Sequence, residues 1–135
     1  MNSELDQLRS AVECAYEGRF DLESMPELLA KFRSALNRGI IRVAELSGSR
    51  WVVHEWLKKG ILLHAKTASL IDISDGQGLR FDFDTLPQRR FELADRVRVC
   101  AGTVVRDGCY IGEGVSIMPG STVNIGAWIG EQSAV

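Results

Sequence analysis

The chain is poor in the residue types that most often announce chemistry. Its 135 residues contain two histidines, His54 and His64, and three cysteines, Cys14, Cys100 and Cys109. No cysteine pair has ligand spacing, so no metal site is expected. The odd cysteine count, with no leader character in the opening MNSELDQLRS, points to reduced, buried thiols in a cytoplasmic protein. Sixteen Lys and Arg against eighteen Asp and Glu leave a net charge of -2, so no basic field argues for nucleic acid. No apolar run approaches the roughly 20 residues of a membrane span. There is no nucleophile elbow, no glycine-rich phosphate loop ahead of a helix and no metal motif. The residues alone assign no catalytic group. With 45% hydrophobic residues the chain can bury a modest core, enough for one or two small domains.

What is present is a beat. Leu93, Val99, Val105, Ile111, Ile117, Val123, Ile129 and Val135 recur every six residues. Four positions after each of the first seven stands a small or modest side chain, among them Thr103, Cys109, Val115 and Ser121. Gly102, Gly108, Gly114, Gly120 and Gly126 keep the same period, where the chain must turn a corner. That is the signature of a hexapeptide-repeat, left-handed parallel β-helix, about three hexapeptides per turn. Residues 93–134 hold seven hexapeptides, a little over two turns, and no capping segment follows Val135. The expectation is a fragment of a longer repeat protein, with an open coil end that favours self-association.

Ahead of the coil the period is helical. Leu5, Leu8, Val12 and Ala15 predict a helix over 3–17 that stops at Gly18. Ser24, Pro26 and Glu27 predict a capping-box start for a second helix, running to about Asn37 and ended by Gly39. Residues 40–46 and 50–53 read as strands around a turn at 47–49. A largely buried helix is expected from His54 to Lys66, although Gly60 weakens it. From Thr67 to Gln88 the pattern dissolves; Asp72, Asp75, Gly76, Gln77 and Gly78 read as loop, pinned by Phe81, Phe83 and Leu86. The fold class is therefore α+β: an N-terminal helical domain with a short strand pair over 1–90, then the first turns of the coil over 91–135.

Few residues stand out as chemical. Asp82 and Asp84 read as solvated turn carboxylates. His54 beside Glu55 could be a base with its orienter, but a boundary residue next to a buried tryptophan explains it more simply. Arg98 differs. It holds the sixth position of the first hexapeptide, pointing outward, with Arg96 and Arg106 close in sequence and Arg89 and Arg90 at the domain boundary. A guanidinium there suits bidentate capture of a carboxylate, and equally a surface salt bridge.

The stretch RVAELSGSRWVVHEWLKK at 42–59, with PGSTVNIGAWIGEQSAV at 119–135, resembles the tetrahydrodipicolinate N-succinyltransferases of bacterial lysine biosynthesis. The likeness extends over essentially the whole chain, and WVVHEWLKK is its most specific part. It implies succinyl transfer from succinyl-CoA, a co-substrate rather than a tightly bound cofactor, to the amino group of a ring-opened dicarboxylate in the diaminopimelate route. It implies a cytoplasmic homotrimer with sites between neighbouring coils. Arg98, in the Arg98-Val99 pair that opens the coil, corresponds to the family's substrate-binding arginine. Ala101 and Gly102 stand where the family usually has two prolines, and Ser121 and Thr122 where a tyrosine is usual. The family's assisting aspartate falls one position past Val135, and its CoA-binding turns lie further on. The chain thus resembles the front half of the enzyme and is expected to be inactive alone. Two other readings remain: a non-catalytic truncated paralogue serving assembly, and a related CoA-dependent acyltransferase acting on another amino acid.

Overall fold

Helix α1 spans Ser3–Tyr16 in the computed structural model, which describes residues 3–76 and 78–135. Gln77, expected in a loop, lies outside the described residues. The helix ends where expected: Gly18 adopts a left-handed φ of 77°, and its N–H and that of Arg19 return to the carbonyls of Ala15 and Cys14. Helix α2 spans Met25–Asn37, with Pro26 in its first turn. Its expected cap is absent. Ser24 has helical dihedrals and makes no side-chain cap. The carboxylate of Asp21 takes hydrogen bonds from the Ser24 hydroxyl at 2.8 Å and from the Glu23 and Ser24 N–H groups, so the turn before the helix is tied by an aspartate. Glu27 pairs with Lys31 one turn on instead of closing a capping box.

The strand pair is shorter than its apolar run. Strands β1 (Ala44–Ser47) and β2 (Arg50–Val53) form an antiparallel hairpin. Ile41 is drawn out of the expected strand because it is buried in the helical core. Helix α3 covers Glu55–Lys66 and buries one stripe: Trp56, Leu57, Gly60, Leu63 and His64. Leu62 and Ala65 face outward, so the helix is amphipathic and not largely buried. Gly60 has a packing reason. A Cβ there would stand 2.3 Å from Cζ of Phe32, the fully buried centre of the helical core. The patternless stretch after α3 contains a second antiparallel hairpin, β3 (Leu70–Asp72) with β4 (Phe81–Phe83). Three-residue strands leave too short an alternation to read. Phe83 and Leu86 are partly buried, but Phe81 is exposed and pins nothing.

The coil strands are β5 (Arg98–Val99), β6 (Val104–Val105), β7 (Tyr110–Ile111), β8 (Ser116–Ile117), β9 (Thr122–Val123) and β10 (Trp128–Ile129). They pair in parallel as β5–β8, β6–β9 and β7–β10. Arg98 faces Ser116, Val104 faces Thr122 and Tyr110 faces Trp128, eighteen positions apart each time. Three hexapeptides therefore make one turn and the coil has three faces. Val105, Cys109, Ile111, Val115, Ile117 and Val123 fill the interior, with Ile129 packed partly against them. The start of the beat is different from expectation. Leu93 is 100% exposed in a 3-10 turn, Leu93–Asp95, whose ends are closed reciprocally by Glu92 and Asp95. Arg96 then turns the chain with a left-handed φ of 51°, and regular pairing begins at Arg98. Val99, on the first rung, is still 37% exposed.

One coil face is covered by the chain's own helices. Ile125 belongs to the helical core. Gly39 lies so close to Tyr110 that a Cβ would meet its ring at 2.7 Å. Tyr110 stacks on Trp128 at 4.6 Å, and the Arg42 guanidinium lies 3.9 Å above the Trp128 ring. At the corner before β7, Asp107 accepts from Arg33 Nε at 2.9 Å and from Asn37 Nδ2 at 2.6 Å. Asn37 in turn accepts from the Gly108 N–H at 2.9 Å. The chain just before the coil lies along β6, with the Arg89 N–H bonded to the Val105 carbonyl. Asp82 accepts from Arg106 through both oxygens, at 2.8 and 3.0 Å, so it is a tether and not a solvated acid. Asp84 accepts from the Ser69 N–H.

His64 is fully buried beside Phe32. Its Nδ1–H donates to the Gly60 carbonyl at 2.8 Å, while Nε2 has no hydrogen-bond partner among the described residues. Burial holds its pKa below the ordinary value, opposed by the Gly60 carbonyl; of the charges facing it, Arg33 lowers it and Asp107 raises it. A base that is harder to protonate when folded contributes stability that is complete above the unfolded pKa, about 6.5, and is lost as the pH falls. Denaturant titrations between pH 7 and 5 should therefore show stability falling with acid, and His64→Leu should remove part of that slope. Equal slopes in the two chains would contradict this. At the seam, Asp107→Ala should cost about 1.5–3 kcal/mol, the usual value for hydrogen bonds to a charged group. A double-mutant cycle with Arg33→Ala should show coupling above about 0.5 kcal/mol, and additive losses would contradict the pairing.

Candidate functional site

The pleat decides which groups the open face presents. Val99 and Ile117 occupy the inward positions, so Arg98 and Ser116, one position earlier, point out from β5 and β8. Ala134 continues the column through a parallel bridge to Ser116. Arg98 is exposed, and Nη1 lies 4.0 Å from the Met118 Sδ, a weak contact. Among the described residues no carboxylate pairs with it. The neighbouring arginines are committed. Arg96 holds Glu113 at 2.7 Å, Arg106 holds Asp82, and Arg89 donates to the Cys109 carbonyl while lying over Phe91. The arginines do not form one cluster: Arg89, Arg96 and Arg106 are structural tethers, whereas Arg98 on β5 and the exposed Arg90, ahead of the coil, pair with no carboxylate among the described residues. An open guanidinium fork on a rigid strand can grip a carboxylate in a bidentate manner.

The other candidates are placed elsewhere. His54 precedes α3 as its N-cap residue, and its Nε2 lies 2.7 Å from Glu45 Oε1 on β1. Its partner is thus a strand carboxylate, not the adjacent Glu55. Cys109 is buried in the coil interior, its thiol pKa is raised by burial, and it donates to the Arg106 carbonyl. Cys14 and Cys100 are only half-buried, so burial holds for one of the three free thiols. Among the described residues no group of three or more His, Cys, Asp or Glu could hold a metal ion. No helix among them is long and apolar enough to cross a membrane. A groove of about 570 Å³ lies between α1 and α2, lined by Leu5, Leu8, Phe20 and Leu28 with Glu27 and Lys31, and brings no such group together. Sequence reasoning passed over Ser116 and Met118. Ser116 was within reach, since it stands three hexapeptides after Arg98 at the same position of the repeat.

Residues 7–67 match the family described as the tetrahydrodipicolinate N-succinyltransferase N-terminal domain. Curated relatives named 2,3,4,5-tetrahydropyridine-2,6-dicarboxylate N-succinyltransferase are similar over most of the chain. That of Idiomarina loihiensis is 37% identical over 124 residues, 87% of this chain and 44% of the relative. That of Acinetobacter baylyi is 34% identical over 142 aligned positions, 97% of this chain and 51% of the relative. That of Shewanella baltica strain OS155 is 32% identical over 133, 90% of this chain and 48% of the relative. The chain spans about half the length of the curated relatives it matches. Over this N-terminal region the chain is similar to the tetrahydrodipicolinate N-succinyltransferases.

Proposed function

We propose that this chain supplies the dicarboxylate grip of an N-succinyltransferase, which carries succinyl from succinyl-CoA to the amine of ring-opened tetrahydrodipicolinate in lysine biosynthesis. The observation that carries the reading is Arg98, an uncommitted guanidinium on the open β5–β8 face of a chain similar to this family. The rest of the proposal follows the family: residues 1–90 as the helical domain, residues 91–135 as the first turns of a left-handed coil, and a cytoplasmic homotrimer whose sites lie between coils.

Acyl transfer needs three things: the amine held against the thioester carbonyl, a proton removed from it, and the developing oxyanion stabilised. Arg98 serves the first by fixing one substrate carboxylate. An arginine does this better than a lysine, because two parallel N–H groups set direction as well as charge. The acyl-donor side is assigned to the half of the relatives that this chain does not span. Residues 1–135 by themselves are therefore expected to bind a dicarboxylate and not to turn it over.

Calorimetric titration with 2-aminopimelate should show binding to the 135-residue chain. Arg98→Ala should weaken it by about 1.5–3 kcal/mol, and Arg98→Lys should restore it in part. Unchanged affinity in Arg98→Ala would remove the grip from Arg98. A thiol-release assay with succinyl-CoA should stay at background for this chain; turnover would mean that these residues hold the acyl-donor chemistry too.

A further inference from the structure

We infer that Ser116 is a second anchoring group for the carboxylate that Arg98 holds, which makes it a specificity-determining residue of the open face. The inference rests on the reading of Arg98 given above. Arg98 and Ser116 are directly paired across β5 and β8. Neighbouring strands stand about 4.8 Å apart, so a hydroxyl and a guanidinium on adjacent rungs can share one carboxylate. Both side chains leave the same face, because Ile117 is buried in the coil interior and Val99 is its register partner on β5. The backbone of Ser116 is fully used, its N–H on the Ser133 carbonyl and its carbonyl on the Val135 N–H, so the residue is fixed in place. Its hydroxyl makes no side-chain hydrogen bond among the described residues. The acid at the adjoining corner, Glu113, is held by Arg96 and does not contest Arg98.

The column also explains why the ligand would be a carboxylate with an apolar stem. It reads cation at Arg98, hydroxyl at Ser116 and methyl at Ala134, with the Met118 thioether beside the guanidinium. A carboxylate fits across the first two rungs. The methylene chain behind it would then run up the face over Ala134, away from the cation. An aliphatic dicarboxylate satisfies the lower rungs with one end and leaves its far end free for groups outside this face.

The test is calorimetric titration of the full 135-residue chain with pimelate and with heptanoate, its one-carboxylate counterpart. Ser116→Ala should weaken pimelate binding about tenfold, in line with loss of a hydrogen bond to a charged group. It should weaken heptanoate binding by the same factor, because the serine serves the carboxylate that both ligands share. Ser116→Thr should restore binding to within about threefold, and thermal unfolding of all variants should match the unaltered chain. Loss in Arg98→Ala with none in Ser116→Ala would overturn the inference and leave Arg98 standing. No loss in Arg98→Ala, or no binding to the unaltered chain at millimolar ligand, would overturn the Arg98 reading and this inference together. Loss in Ser116→Ala that threonine does not rescue, with a lowered unfolding temperature, would make Ser116 structural and also overturn it.

Discussion

A coil with three pairs of two-residue strands cannot close its own interior, and the lateral seam with the helices is what the rest of this structure depends on. Stacked repeats bury their apolar residues only against neighbouring rungs or against a cover. Here the rungs protect six interior side chains, and the covered face completes the enclosure from outside. Ile125 reaches out of the coil into the helical core, and Gly39 reaches down onto Tyr110. The Arg33–Asp107–Asn37 network fixes the angle between the two. Its polar atoms are satisfied mutually, which is the condition under which a partly buried charge adds specificity at little cost. His64 sits behind this network: its carbonyl accepts from the Thr85 hydroxyl, and Arg33 donates to the Thr85 carbonyl.

The seam also decides which face of the coil stays accessible. It consumes the β7–β10 face, with its two outward aromatic residues, and the segment before the coil runs along β6. The β5–β8 face stays open, and it carries Arg98, which among the described residues is tied to no carboxylate or carbonyl. Packing thereby sorts residues of one type into different tasks. Arg33, Arg89, Arg96 and Arg106 hold the structure, while Arg98 is held out from it. A rigid strand is a better base for such a group than a loop, because the backbone ladder leaves it little freedom to drift.

Much of this was legible in the sequence, and the limits have physical causes. A period of six identifies the coil and its inward residues from Val105 to Val123, because nothing but stacking repays keeping that spacing. The same beat failed at Leu93, where a local capping pair and a 3-10 turn displaced the first strand. Helices α1 to α3 followed from their apolar stripes. The start of α2 was misread because Asp21, outside the motif, takes up the Ser24 hydroxyl and N–H, and Ser24 holds helical dihedrals without capping. Hairpin β3–β4 escaped because its strands are shorter than one detectable alternation. Gly60 counted against a helix on propensity, yet Phe32 requires it, and that contact is long-range. Arg98 could be singled out, but not the division of labour among the arginines, since each tether joins residues far apart in sequence. Ser116 lay in plain view at the repeat spacing and was overlooked because the hydroxyl alone carries no signal until its rung is known.

The central claim is that the open β5–β8 face, and neither the α1–α2 groove nor the aromatic seam, receives a dicarboxylate. Amide chemical-shift mapping of the isotope-labelled chain with pimelate tests it most directly. The account predicts that the largest changes fall on the backbone of Arg98, Ser116 and Met118, with Asp107, Tyr110 and Trp128 at the seam unmoved. Changes concentrated on Leu8, Leu28 and Lys31 in the helical groove, or spread along the seam, would contradict it.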